Sequence, residues 1–333
     1  MLMIFLSIRS NLDYLLFPGA LYQKDNQFLY EHNVLKFIPQ DEKASHPEIP
    51  YLYFRFALEA KYSKEPIDFS RKLIIFSHGN GENLYSIFKH RDFVSCAQEW
   101  EADILVYEYP GYYQNNQSNN YFGDHPNNYS TDRTTFESIR THAVATYNYA
   151  RDKLGFSAGN IILYGYSIGS APTLALVDYS SKRNEQVGGV IIQSGFTTIF
   201  GTLISNRNVA WILKYPIMLL EFLLVPDAWN NEEIVSHVPQ NLSIAFVHGI
   251  EDTIISKWHS QQMYEKCPSH NKELSLIPSA THTYFPGKSM SITMDNFLSD
   301  IEFRRVASDW YKIFFPSRET EPSSFDYSYL FPR

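Results

Sequence analysis

Cysteine is scarce in this sequence, since Cys96 and Cys267 are the only two among 333 residues. Two cysteines in so long a chain provide no disulfide framework, so the class of disulfide-stabilised secreted domains is disfavoured. We expect both to be small buried side chains in helical segments. The scarcity also favours a reducing, intracellular compartment.

A cluster of basic residues is absent as well. The sequence has 28 Lys and Arg against 36 Asp and Glu, which gives a formal net charge of −8. Because binding to a phosphate backbone depends on clustered Lys and Arg, no nucleic acid is expected as a partner. The excess of acidic residues mainly favours solubility.

Motifs for cofactors and metals are also missing. The glycine-rich stretch at residues 78–83 lacks the Gly-Lys-Ser/Thr ending of a phosphate-binding loop and the G-x-G-x-x-G pattern of a dinucleotide site. No group of His, Cys and Asp shows the spacing of metal ligands. We therefore expect neither a cofactor nor a metal.

The sequence has no uninterrupted apolar run of the length that crosses a bilayer. Residues 1–8 are apolar but short, and the run at 209–226 contains Lys214, Pro216 and Glu221. Three interpretations of the N-terminal segment stay open: a docked first helix, a helix on a membrane surface, or an atypical targeting signal. Membrane association therefore remains an alternative for an otherwise intracellular protein.

Short apolar runs alternate with segments of helical spacing along most of the chain. Strands are predicted at residues 50–57, 73–77, 103–109, 160–164, 188–194, 243–249 and 274–277. Helices are predicted at 83–100 and 131–154, the second with a capping box of Thr134 and Glu137 just inside its start. This alternation predicts an α/β fold with a mostly parallel central sheet and helices on both faces.

The predicted organisation is one α/β domain at residues 51–316. A docking or membrane-contact segment at 1–50 precedes it, and a polar and aromatic tail at 317–333 follows. An insert at about 196–240 interrupts the alternation and contains the apolar run. We interpret it either as a helical lid that accepts an apolar substrate, with Trp211 and Phe222 as candidate contacts, or as one more packed helix.

The stretch Gly-Tyr-Ser-Ile-Gly at residues 165–169 lies between a predicted strand and a helix-favouring run. In this context G-x-S-x-G forms a sharp turn that strains the serine backbone and presents its hydroxyl above the sheet. Side chains two residues to either side would collide, which explains Gly165 and Gly169. Ser167 is therefore the candidate nucleophile.

A serine hydroxyl needs a base within hydrogen-bonding distance, and the base needs an orienting acid. Asp252 and His282 each follow a predicted strand, and with Ser167 they give the chain order serine, acid, histidine that this kind of site requires. Asp227 is the rival acid. Glu251 is rejected because adjacent side chains point apart.

The other histidines of this region receive different interpretations. His259 and His270 lie on or after the helix between the acid and the base, and we expect both at the surface. His248 precedes the acid and is interpreted as structural.

An oxyanion formed at Ser167 would need two backbone N–H donors. The residue after the serine, Ile168, is expected to supply one. The second is expected from the loop after the strand at 73–77, with Asn80 as the first choice and Gly81 as the alternative.

These stretches resemble the α/β-hydrolase superfamily, and more narrowly the branch of the α/β-hydrolase domain-containing protein depalmitoylases and their single-span membrane relatives. The likeness covers about residues 14–315. It is carried by Ser-His-Gly-Asn-Gly at 77–81, Tyr-Glu-Tyr-Pro-Gly-Tyr at 107–112, Gly-Tyr-Ser-Ile-Gly-Ser at 165–170, Val-His-Gly-Ile-Glu-Asp at 247–252 and Tyr-Glu-Lys-Cys-Pro at 264–268. The sequence departs from the branch at Tyr113, Ala280 and Thr281, where glycine is usual, and in lacking an N-terminal cysteine cluster.

The resemblance implies an α/β-hydrolase fold with a Ser167, Asp252 and His282 triad. It also implies a serine hydrolase that cleaves carboxylic esters or thioesters, with an acylated small molecule, a lipid or an acyl-protein as substrate. The altered histidine loop motivates an alternative, a non-catalytic scaffold within a larger assembly. A peptidase of the same fold is the third possibility.

Overall fold

The structure is a computed structural model that describes residues 35–39, 48–56, 71–91, 93, 97, 102–112, 134–199, 201–202 and 229–284. These residues form one eight-stranded sheet flanked by helices. The strands are β1 (Lys36–Ile38), β2 (Ile49–Phe54), β3 (Lys72–Ser77), β4 (Ala102–Tyr107), β5 (Ile161–Tyr166), β6 (Gly189–Gln193), β7 (Ile244–Gly249) and β8 (Lys272–Ile277).

The strands follow the order β1-β2-β4-β3-β5-β6-β7-β8 across the sheet. From β4 to β8 all neighbours are parallel, whereas β2 is antiparallel to both β1 and β4. In a sheet of this kind, ligand sites form at the carboxyl ends of the parallel strands. The loops that follow β3, β5, β7 and β8 therefore share one edge of the sheet.

The helices with defined ends are α1 (Leu84–His90), α2 (Phe136–Asp152), α3 (Ser170–Lys182), α4 (Asn231–Ser236) and α5 (Trp258–Lys266). Successive side chains of a strand point to opposite faces of the sheet. Ile75 belongs to the core cluster that includes residues of α2 and α3, while the next residue, Phe76, contacts Phe93 on the other side. Both faces of the central strands are therefore covered, as the alternation of strands and helices predicts.

The structure corrects the predicted start of α2. The N-cap is Thr135, and its side chain and that of Ser138 form the capping box. The predicted box of Thr134 and Glu137 does not form, because the Thr134 hydroxyl donates to the Pro110 carbonyl and Glu137 pairs with Arg140. The helix consequently begins at Phe136 and not near residue 131.

The three-residue strand β1 is missing from the sequence prediction. It pairs with β2 and lies inside the segment 1–50 that the sequence assigns to docking or membrane contact. The sheet therefore begins upstream of the predicted boundary at residue 51. The remainder of that segment outside 35–39 and 48–50, and the tail at 317–333, lie outside the described residues.

Within the described part of the chain, no helix combines the length and the apolar character needed to cross a membrane.

Cys267 is buried at the C-terminal cap of α5, in agreement with the expected role of a small core residue. The side chain of Cys96 lies outside the described set.

Candidate active site

Ser167 directly follows β5 and has a positive φ of 55°, a left-handed conformation that non-glycine residues rarely adopt. Crowding in this turn accounts for its glycines. A Cβ added to Gly165 would lie 2.5 Å from the Gly169 carbonyl oxygen, and one added to Gly169 would lie 2.0 Å from the carbonyl oxygen of Ser77. The sharp turn predicted from the sequence is therefore present.

Three side chains from separate loops meet at this turn. Ser167 Oγ lies 2.9 Å from His282 Nε2, and His282 Nδ1 lies 2.7 Å from Asp252 Oδ2. Both distances are those of hydrogen bonds. The structure thus brings together the three residues that the sequence singled out. The rival acid Asp227 lies outside the described residues.

The partners of His282 define its tautomer. A carboxylate can only accept a hydrogen bond, so Nδ1 of His282 carries the proton that faces Asp252. Nε2 of the neutral ring then has a free lone pair, which accepts the hydrogen bond from the Ser167 hydroxyl. This is the orientation that a general base for serine requires.

Asp252 is held as a carboxylate by four groups. Its Oδ1 accepts hydrogen bonds from the Ile254 and Ile255 amides, while its Oδ2 faces His282 and, at 3.3 Å, Nε2 of His248. Burial alone would raise the pKa of Asp252, but the adjacent imidazoles of His248 and His282 and the hydrogen bond from the Ile255 amide outweigh it and hold the pKa well below its usual range. The acid is thus charged at neutral pH.

The loop that carries His282 is anchored on both sides. The Tyr166 hydroxyl donates to the His282 carbonyl oxygen at 3.0 Å, and the Glu251 amide donates to the Ala280 carbonyl oxygen at 2.9 Å. Gly249 lies so close to the same loop that an added Cβ would be 2.5 Å from the Ala280 carbonyl oxygen. These contacts join the carboxyl ends of β5, β7 and β8.

The loop after β3 is organised by Glu82. Its Oε2 accepts the Gly79 amide at 2.8 Å, and its Oε1 lies 2.6 Å from Arg91 at the end of α1. The Arg91 guanidinium also lies over the rings of Phe76 and Tyr166, 5.2 Å from the centroid of each. This ion pair therefore links the loop to the residue that precedes the nucleophile.

Asn80 and Gly81 form the tip of this loop. The Gly79 amide is already used by Glu82, and the Asn80 side chain accepts a hydrogen bond from the Tyr112 hydroxyl. The assignment of the Asn80 and Ile168 amides as oxyanion donors, with Gly81 as the alternative, stays a prediction.

A buried pair of a histidine and a carboxylate also holds the loop after β3 in place. His78 Nε2 lies 3.0 Å from Glu108 Oε1, and His78 Nδ1 lies 2.9 Å from the Gly79 carbonyl oxygen. The other Glu108 oxygen accepts the Leu84 amide at the start of α1. The His78 ring also stacks on Tyr109, with ring centroids 3.9 Å apart.

The expected surface position of His259 is wrong. This side chain is fully buried, and its Nδ1 lies 2.9 Å from the Thr197 hydroxyl. Burial, with a smaller contribution from His248, lowers the pKa of His259 to about 4. His270 is exposed, as predicted.

The two ends of the predicted insert meet beside the nucleophile helix. Thr198 and Asn230 form an antiparallel bridge, and the Asn231 side chain donates to the Phe196 carbonyl oxygen at 2.9 Å and to Ser170 Oγ at 3.5 Å. The chain between these ends includes the candidate substrate contacts Trp211 and Phe222, both outside the described residues.

Sequence reasoning missed three supporting residues, Tyr166, Glu82 and Arg91. Tyr166 sits inside the serine motif, and its aromatic side chain was the available signal. Glu82 and Arg91 are charged residues near a glycine-rich loop, and no local pattern distinguishes them from surface charges.

Among the residues that the structure describes, no group of three or more His, Cys, Asp or Glu side chains could hold a metal ion.

The strand order, the turn at Ser167 and the convergence of its partners together define the α/β-hydrolase class of fold. More particularly, the chain belongs to the family described as Chlamydia CHLPS protein (DUF818), whose sequence profile matches residues 22–199.

Two individual proteins resemble parts of this chain. Human alpha/beta hydrolase domain-containing protein 17C is 28% identical over 199 residues, which cover 60% of this chain and 49% of that protein. An uncharacterized membrane protein of Saccharomyces cerevisiae is 29% identical over 126 residues, 38% of this chain and 40% of that protein. The chain thus spans about half or less of these two relatives. The match to protein 17C confirms the resemblance predicted from the motifs.

A solved structure supports the fold alone. The crystal structure of an alpha-beta hydrolase from Vibrio vulnificus superposes with a TM-score of 0.56 at 15% identity, covering 87% of this chain and 90% of that one. The predicted α/β-hydrolase fold is therefore confirmed.

Proposed function

We propose that this protein is a serine hydrolase that cleaves carboxylic esters or thioesters through an acyl-enzyme. The observation that carries the proposal is the continuous hydrogen-bonded chain from Ser167 Oγ through His282 to Asp252, with distances of 2.9 and 2.7 Å. A serine in a strained turn with a correctly oriented base is the arrangement that nucleophilic catalysis requires.

In the first half of the reaction, Ser167 Oγ attacks the acyl carbonyl carbon while its proton passes to His282 Nε2. Asp252 stabilises the resulting imidazolium, and the Ile168 and Asn80 amides bind the oxyanion. When the tetrahedral intermediate collapses, His282 returns the proton to the leaving alcohol or thiol and the acyl group stays on Ser167. Water then attacks that ester with His282 as the base, which releases the acid and regenerates the serine.

An acyl substrate fits the surroundings of the site. Ile250 and Ile254 on the acid loop, Trp258 at the start of α5 and Tyr284 two residues beyond the base are exposed large apolar side chains. Exposed apolar side chains that lie close in sequence to the acid and the base favour an apolar ligand over a charged one. The predicted lid, with Trp211 and Phe222, would extend the same apolar lining.

The resemblance to the depalmitoylase branch makes a palmitoyl thioester the first acyl-protein substrate to test. We also propose that the protein is intracellular and reaches such substrates as a peripheral membrane protein. No nucleic acid is proposed as a partner, since the net charge is −8.

The test is hydrolysis of p-nitrophenyl esters with acyl chains of two to sixteen carbons and of palmitoyl-coenzyme A. We expect turnover that improves with chain length, and a loss of about 10⁴-fold or more in Ser167→Ala. Ser180→Ala is the matched control, because Ser180 is buried in α3 and its hydroxyl donates to the Val177 carbonyl of the same helix. Near-parental turnover in Ser167→Ala would contradict the proposal, and inert parent protein would favour the scaffold alternative.

A further inference from the structure

Asp252 contacts two histidines through the same oxygen. His282 Nδ1 lies 2.7 Å from Asp252 Oδ2, and Nε2 of His248, near the end of β7, approaches the same atom at 3.3 Å. The His248 side chain is fully buried, and so is that of Asp252. A buried imidazole against the acid of a catalytic site calls for an explanation beyond filling space.

The surroundings of His248 define its tautomer. Its Nε2 faces two groups that can only accept, the Ile255 carbonyl oxygen at 2.9 Å and the carboxylate of Asp252. Its Nδ1 faces the Ser260 hydroxyl at 2.7 Å, which can donate. A neutral His248 therefore carries its proton on Nε2 and directs it toward Ile255 and Asp252.

We propose that His248 is a positioning residue of the active site: it donates to Asp252 Oδ2, keeps that oxygen in front of His282 and limits its basicity. This inference rests on the proposed function. The Ile254 and Ile255 amides fix Oδ1, and among the described residues the side chains that approach Oδ2 are the two imidazoles. His248 supplies the restraint that does not take part in proton transfer.

Two other titratable groups in the described part of the chain interact with this carboxylate, and neither is charged near pH 7. His259 on α5 interacts electrostatically with both His248 and Asp252, and burial keeps it neutral near pH 7. Tyr166 faces Asp252 from β5 and is neutral as well, because burial raises its pKa far above the ordinary value. His248 and His282 are thus the groups that share the negative charge of Asp252 through hydrogen bonds on Oδ2.

Two consequences follow when the His248 donor is lost. Oδ2 is no longer fixed, so His282 is held less well for transfer of the serine proton. The carboxylate also concentrates more of its charge on the remaining bond to His282, which favours the imidazolium. Turnover should fall while the acid limb of the pH profile moves to higher pH.

The test compares His248→Asn with His248→Gln. The amide of Asn reaches roughly the position of Nδ1 and can keep the bond to Ser260, whereas the longer Gln reaches the position of Nε2 and can donate to Asp252. We expect His248→Asn to lower kcat by about tenfold with KM nearly unchanged, and to move the acid limb upward by about 0.5 pH units. His248→Gln should restore most of kcat and the parental acid limb.

Equal losses in both variants with an unmoved acid limb would overturn the proposal in favour of a purely structural role. So would parental kcat in a folded His248→Asn. A further measurement uses the parent protein alone and does not depend on its activity. Nitrogen-15 NMR of the imidazoles should show the proton of His248 on Nε2. A proton on Nδ1 would leave a lone pair facing the carboxylate and would also overturn it.

Failure of the proposed function is a separate result. A parent protein that hydrolyses no ester contradicts catalysis by Ser167. The chemical shift of the His248 Nε2 proton, compared in the parent and in Asp252→Ala, then tests the donation separately, because an unchanged shift would mean that His248 donates to the Ile255 carbonyl alone. If His248→Asn does not fold, the same readout together with His248→Gln decides.

Discussion

Tyr166 donates a hydrogen bond to the backbone carbonyl of His282, a residue 116 positions further along the chain. The bond joins the residue before Ser167, the proposed nucleophile, to His282, its proposed base. The ring of Tyr166 also packs against His282, with centroids 5.6 Å apart. Ser167 and His282 are thus held together through the backbone and ring contacts of Tyr166 as well as through their own hydrogen bond.

Replacing Tyr166 by Phe should therefore lower activity more than stability. Loss of the hydroxyl removes one buried hydrogen bond, worth about 1 kcal/mol of the free energy of unfolding. Because the bond positions the loop of His282, we expect ester hydrolysis to fall several-fold. Tyr147→Phe is the matched control, since its hydroxyl bonds to Glu185 away from the site. Equal activity in the two variants, measured alongside urea unfolding, would contradict this role.

The ion pair of Glu82 and Arg91 should support both the fold and the loop after β3. Glu82→Gln removes the negative charge that faces the buried Arg91 guanidinium, and we expect a loss of about 3 kcal/mol in the free energy of unfolding together with reduced turnover. The control is Glu137→Gln, which breaks an exposed pair with Arg140 and should cost less than about 1 kcal/mol. Comparable losses in the two variants by chemical denaturation would show that burial of the first pair is unimportant.

The glycines of the two loops should respond differently to an added methyl group. Gly169→Ala would place a Cβ 2.0 Å from the Ser77 carbonyl oxygen, so β3 and β5 would have to move apart. We expect a loss of at least about 3 kcal/mol in stability. Gly81→Ala meets nothing within 4 Å and should fold with a stability within about 1 kcal/mol of the parent. Thermal unfolding of both variants distinguishes these outcomes, and a stable Gly169→Ala protein would refute the crowding described for the turn.

His259 should make the protein less stable as the pH falls. Its pKa of about 4 in the folded state lies below that of an ordinary histidine near 6.5, so between these values only the unfolded state takes up the proton. Stability should therefore decrease from about pH 6.5 to about pH 4, by up to roughly 3 kcal/mol. The measurement is the free energy of urea unfolding at pH 7, 6, 5 and 4.5.

Glu273 acts in the opposite direction over the same range. Burial raises its pKa to about 7, so the folded state binds its proton first as the pH falls. The contribution of His259 is therefore measured as the difference between the parent and His259→Asn, because both contain Glu273. The exposed His270→Asn serves as the control. An unchanged pH dependence in His259→Asn would argue against the buried neutral imidazole.

The parts of this site that could be predicted from sequence are those with local causes. The serine turn requires glycines at fixed offsets, so the residues around Ser167 are enough to predict it. Asp252 and His282 follow apolar strands in the necessary chain order, and the parallel sheet brings the ends of those strands to one edge. The convergence of these two residues with Ser167 therefore follows from the parallel order of the strands, which the pattern of apolar runs predicts.

The errors arise where tertiary contacts override local pattern. On α5, the polar residues His259 and Ser260 are fully buried while Trp258 is 47% exposed. The hydropathy pattern of this helix therefore predicts the wrong face as the buried one. The capping prediction failed because Thr134 bonds to a loop far along the chain. Strand β1 has three residues, too few for a periodic signal.

The central claim is that Ser167 is an activated nucleophile, and covalent trapping tests it most directly. The protein is treated with a fluorophosphonate, and the modified residue is identified by mass spectrometry of its peptides. We predict one adduct, on Ser167, that forms at least about 10³-fold more slowly when His282 is replaced by Ala. An intact protein that stays unmodified, or an adduct located on another residue, would contradict the account.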